Sequence, residues 1–172
     1  RYTLPPYEVV HLRPMLADLD FKPLPKLPGR NIVYAGGIVA NDGSTAFGYR
    51  KYARTIFPAL MRAGWTVHVY PAWKGYERTA DYEAIGCVVH KSVPQGALAR
   101  ELSQYQAGFQ GYAEDGCQPF VHACRPNKIW QYLEAGIPTL GYNPGSGGAI
   151  YDGRWGVVAR TLDDIPAASA AV

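Results

Sequence analysis

Short apolar runs alternate with helix-patterned stretches along this chain, and that alternation restricts its fold more than any other feature. The runs Asn31–Gly36, Thr66–Tyr70, Gly86–His90, Ala107–Tyr112, Ile137–Tyr142 and Gly156–Ala159 read as strands. Between the first two, a helix over Ala46–Ala63 places Tyr49, Ala53, Ile56, Leu60 and Ala63 on one face, and Gly64 ends it. A second helix opens at Pro94 and Gln95 and runs to about Tyr105. Tyr76–Ile85 is ambiguous and fits a short helix. Strands this short, joined through helices, predict parallel pairing with both sheet faces covered. Right-handed crossovers then give an α/β fold, a doubly wound parallel sheet of Rossmann-like type. Ligands of such sheets sit beyond the carboxyl ends of the strands. Gly36-Gly37, Lys91–Pro94 and Asn143–Gly148 each follow a strand, so loop chemistry and topology agree.

The stretch before Asn31 differs. Arg1–Arg30 carries Pro5, Pro6, Pro14, Pro23, Pro25 and Pro28, which favour extended segments and turns. It reads as a linker and lead-in, with 31–172 as the folded domain. The alternative is a disordered arm. The first residue is Arg1 rather than Met, as expected of a fragment or processed product. A net charge of +3 permits an anionic ligand, and no basic stripe argues for nucleic acid. No apolar run approaches the ~20 residues that cross a bilayer. The three cysteines, Cys87, Cys117 and Cys124, are too few and odd in number for a disulfide framework, which fits a reducing, cytoplasmic setting. Cys117, His122 and Cys124 match no common zinc spacing, so no metal is expected.

Arg125–Gly141 is the most informative segment. Asn127 is placed to cap a helix whose Ile129, Tyr132 and Leu133 share a face. Gly136 suits a left-handed stop, and Pro138 blocks continuation. A helix N-terminus flanked by Arg125 and Lys128 suits a phosphate. Pro-Asn-Lys, an aromatic-rich turn, Ala-Gly, an aliphatic residue and Pro together resemble the nucleotide-sugar-binding motif of GT-B-fold glycosyltransferases, of the group 1, family 4-like kind. The resemblance spans most of Asn31–Pro166 and is to the C-terminal, donor-binding domain. It implies a missing N-terminal, acceptor-binding partner domain.

The resemblance implies a site as well. Gly36, Gly37, Arg125, Asn127 and Lys128 would meet the donor diphosphate. Gln131 would meet the ribose, and Ser92 and Val93 the base. The ligand would be a UDP- or GDP-linked sugar, with no further cofactor. The sequence departs from the family pattern in places. Gly37 stands where an Arg is common, Phe47-Gly48 where Lys-Gly is common, and Gln131 where a Glu usually binds ribose. The spacing of a second Glu lands on Ala123, near His122 and Arg125. Two alternatives follow: a non-catalytic interaction domain of the same fold, or half of a nucleotide-sugar epimerase. No nucleophile triad is legible, and His68, inside a strand, reads as core. No catalytic residue is assigned, and turnover is expected only with the partner domain.

Overall fold

The computed structural model describes residues 21–38, 52–72, 79–112, 127–142 and 155–172. The strands are β1 Asn31–Gly36, β2 Thr66–Pro71, β3 Val88–Val89, β4 Ala107–Gly111, β5 Thr139–Tyr142 and β6 Gly156–Ala159. The helices are α1 Ile56–Arg62, α2 Ala80–Ala84, α3 Gln95–Leu102, α4 Asn127–Glu134 and α5 Ile165–Ser169. The sheet order is β3-β2-β1-β4-β5-β6 with every pair parallel, so the strand order reverses beside β1. This is the doubly wound α/β fold, and its switch point lies between β1 and β4. Among the described residues, no helix is long and apolar enough to cross a membrane.

Each face of the sheet buries its own core. Alternate residues of β1 divide between them. Ile32 and Tyr34 join Tyr52, Phe57, Tyr82 and Phe109 on one side. Val33 and Ala35 join Tyr70, Leu98, Leu102, Tyr105 and Tyr132 on the other. The first side is built from ring contacts: Tyr52 stacks on Phe57 at 5.3 Å, and Phe109 meets Phe57 edge-on at 5.7 Å. Such pairs add to simple area burial.

Two expected boundaries move, each for a local reason. The helix read over Ala46–Ala63 appears as a 3-10 turn, Tyr52–Arg54, followed by α1, with its first residues outside those described. Pro58 has no N–H to give and is tolerated only in a first turn, so α1 cannot extend far before it and starts at Ile56. The strand read over Gly86–His90 shortens to Val88–Val89. Gly86 sits at φ 96 and closes α2 instead, with its N–H on Glu83 O and that of Cys87 on Tyr82 O. Asn127 is the first described residue of α4. The other end of α4 is as expected: Gly136 at φ 68 lets its own N–H reach Leu133 O and that of Ile137 reach Tyr132 O.

The lead-in is part of the packing from Leu24 onward. Leu24 N–H donates to Ser103 Oγ, Leu27 N–H to Gln104 O, and Gln106 Nε2 to Leu27 O. The Arg30 guanidinium covers Trp65 at 4.4 Å and donates to the carbonyls of Ala63 and Ser169.

One side chain opens the switch point. β1 and β2 pair from Asn31–Thr66 to Gly36–Pro71, but β1 and β4 pair only at Ile32–Ala107 and Val33–Gly108. The next rung would join Ala35 to Phe109. The Tyr132 hydroxyl stands there instead. It accepts from Ala35 N–H at 3.3 Å and lies 2.9 Å from Phe109 O and 3.2 Å from Val33 O, to either of which it can donate. Gly108 makes this possible, because a Cβ there would overlap the Tyr132 ring. The strands therefore part toward their carboxyl ends, with the phenol as a spacer that takes the Ala35 N–H and can serve one of the two carbonyls.

Candidate functional site

A cleft of about 280 Å³ lies beyond those parted ends. Ala35 and Gly36 from β1, Tyr70–Ala72 at the end of β2, and Ser92 and Val93 after β3 form one wall. Gln95 and Leu98 of α3 and Gln131 of α4 complete it. Among the described residues that line it, none is charged.

The residues singled out from sequence mostly converge here. Gly36, Ser92, Val93 and Gln131 all line the cleft. Lys128 reaches its rim: a Cβ added to Gly36 would lie 3.2 Å from Lys128 Cε and 3.3 Å from Tyr34 Oη. The glycine thus admits the lysine stem. The Lys128 ammonium lies 5.2 Å from the centre of the Tyr34 ring, a cation–π contact worth roughly 0.5–1 kcal/mol at a partly exposed site. The Tyr34 hydroxyl donates to Gly37 O at 2.6 Å, which fixes the turn leaving β1. Asn127 is exposed in the first turn of α4. Arg125 lies outside the described residues, as do Phe47-Gly48, His122, Ala123, Cys117, Cys124 and the Asn143–Gly148 loop.

The Ser92 hydroxyl donates to Pro71 O at 2.9 Å and ties the loop to the end of β2, while Pro94 precedes α3. Gln131 faces another amide, with its Nε2 3.5 Å from Gln95 Oε1, the outer limit of a hydrogen bond. Gln131 Oε1 stays available to accept from a hydroxyl, and the Gln95 amide to donate.

Sequence reasoning missed a polar cluster behind the cleft wall. Tyr70 lines the cleft, and its ring stacks on that of His90, 4.3 Å away and 6° from parallel. His90 Nε2 is 2.9 Å from His68 Nδ1 and 3.4 Å from Tyr105 Oη. His68 Nε2 is 3.0 Å from Asn31 Oδ1. Tyr70 Oη donates to Glu101 Oε1 at 2.8 Å and lies 2.8 Å from Tyr105 Oη. Burial, and then the proximity of His90, pushes His68 down to about 4. Burial also lowers His90, against the opposing pull of the Glu101 carboxylate. Both phenols are raised, chiefly by burial, Tyr105 to about 12. The available signal was His68-Val-Tyr70: two polar-tipped rings at alternate positions of an otherwise apolar strand. Cys87, also buried, is pushed up to about 12 and is no nucleophile. Among the described residues, no His, Cys, Asp or Glu cluster could hold a metal ion.

No protein-family model matches the chain, and no curated protein does. Among solved structures it is similar to an α,α-trehalose-phosphate synthase (UDP-forming) from Burkholderia xenovorans, at TM-score 0.55 and 12% identity. The fold is shared. The match covers 83% of this chain and 35% of that enzyme. The C-terminal CMP-Kdo binding domain of WaaA from Acinetobacter baumannii gives TM-score 0.42 at 13% identity, covering 83% of this chain and 82% of that one. A likeness that shallow carries no argument.

Proposed function

We propose that this chain is the nucleotide-sugar-binding part of a glycosyltransferase and holds the diphosphate of a UDP- or GDP-linked donor at the carboxyl ends of its strands. The observation that carries this reading is the meeting of Lys128 and Gly36 beside the cleft. Lys128 would take the diphosphate together with Gly36, Gly37, Asn127 and Arg125. Gln131 would accept from the ribose, and the backbone of Ser92 and Val93 would border the base. In transfer, positive charge at this point stabilises the departing diphosphate. The acceptor would come from a second domain, so this chain alone is expected to bind without turning over. The solved enzyme that shares the fold is itself named as UDP-forming, which agrees in class.

Calorimetric titration with UDP, GDP and their sugars tests the proposal. Saturable binding is expected, weakened roughly 10- to 100-fold in Lys128→Ala by the loss of a charge-assisted bond. Binding that ignores Lys128→Ala would sink it. Among the described residues the cleft lining is uncharged, which favours one second reading, an interaction domain that has lost donor affinity. Silence from every nucleotide would favour that one.

A further inference from the structure

We propose that His90 is a one-proton acceptor behind the cleft wall, and that its charge tunes affinity for an anionic ligand. This rests on the reading of the cleft as a nucleotide-sugar site.

The hydrogen bonds fix where each proton sits. The Asn31 amide donates through Nδ2 to Pro28 O at 2.9 Å, so its Oδ1 is the end turned to His68. An amide oxygen only accepts, so His68 Nε2 carries a proton. Neutral His68 then has a bare Nδ1, and His90 Nε2 must donate to it. The other branch agrees. Glu101 only accepts, so Tyr70 spends its proton there and Tyr105 donates to Tyr70. The Tyr105 oxygen is then left to accept from His90. Both branches run outward from a single N–H on His90.

Between the two imidazoles, only His90 Nδ1 can take another proton without breaking one of these bonds. A proton on His68 Nδ1 would face the N–H of His90. The ionisable groups facing His90 are His68 and Tyr70 of β2, Glu101 of α3, and Tyr105 beyond it. Lys26 reaches only the carbonyl of Tyr105. Glu101 favours the imidazolium, while burial and any charge on His68 oppose it. His90 therefore charges first of the two imidazoles, stacked on Tyr70, which itself lines the cleft. An anion there would draw the proton onto His90, and the proton would in turn tighten the anion.

A charge on the order of 8 Å away changes affinity by roughly three- to tenfold at effective dielectric values of 30–60. UDP-glucose and GDP-mannose are suitable probes because their diesterified diphosphate does not titrate in this range. Calorimetry at about pH 5.5 and about pH 7.5, in buffers of differing ionisation heat, should show tighter binding with proton uptake in acid. Both effects should vanish in His90→Gln, whose amide can still donate to His68. Imidazole 15N shifts of the unliganded chain should show His90 gaining its proton at Nδ1 while His68 stays neutral.

First protonation at His68 overturns the proton assignment, even if the variant does not fold. Binding that is indifferent to pH, or whose pH dependence survives His90→Gln, overturns the coupling and leaves the nucleotide reading standing. Absence of binding by either sugar nucleotide at both pH values overturns the reading and the coupling together.

Discussion

Replacing Tyr132 with Phe removes one atom from the centre of the sheet and tests how the crevice is built. The hydroxyl is the partner of Ala35 N–H and lies within reach of Phe109 O and Val33 O, in a side chain with no exposed surface. The ring stays, so apolar burial hardly changes. The cost is that of stranding buried backbone groups. An orphaned donor costs about 1–3 kcal/mol, and the carbonyls, with two lone pairs each, add less. A net loss of about 2 kcal/mol is expected. For a chain of this size that lowers the melting temperature by about 4–8 °C. Urea unfolding should move the midpoint without changing the slope. Amide exchange at Ala35 should quicken relative to Val33. The reasoning fails if stability changes by less than about 0.5 kcal/mol and Ala35 becomes better protected. That pair of results would mean the strands close directly, Ala35 to Phe109, and that the phenol was never needed to hold them apart.

Gly108→Ala attacks the same arrangement from below. The new methyl has no space against the Tyr132 ring, and destabilisation of about 1–3 kcal/mol is expected by chemical denaturation; a neutral outcome would show the ring free to shift. Acid should destabilise the protein above the carboxylate range. His68 is held near pH 4 in the folded chain but has an ordinary value of 6.5, so unfolding takes up a proton between those limits. Stability conferred by the neutral imidazole is complete above pH 6.5 and declines as pH falls toward 4. The full difference corresponds to ~3 kcal/mol, reduced to on the order of 2 by solvent reaching the half-buried His90. Asp164 titrates lower, held down by the Thr161 backbone and side chain, so its contribution is lost only below this window. Urea midpoints that stay flat from about pH 7 to about pH 4.5 would contradict the burial of a neutral His68.

Most of the fold was legible because parallel strands buried on both faces announce themselves as apolar runs. β1, β2, β4 and β6 fall where Asn31, Thr66, Ala107 and Gly156 begin their runs. The errors came from residues serving the neighbouring element. Gly86 reads as the start of a strand but closes α2, and Pro58 hides inside an apolar face while it resets the helix start. The site was legible at the level of loops, since topology alone puts Gly36, Ser92 and Val93 at one edge. Tyr132 was read for its ring, as one stripe of an amphipathic helix. Nothing local tells that its hydroxyl reaches across 97 residues of sequence to Ala35. The pairing of His68 with His90 was hidden for a related reason. It depends on the register His68–Val88, which only the assembled sheet defines.

The stitching of Leu24–Arg30 bears on where this protein can be cut. A version trimmed to start at Asn31 would keep every strand yet lose the Leu24 and Leu27 ties to the end of α3 and the Arg30 cover on Trp65. It would also free the Asn31 amide to rotate, since Pro28 O is what holds its orientation. An excised piece that keeps its shape and the His68 tautomer must therefore retain this short proline-rich strap.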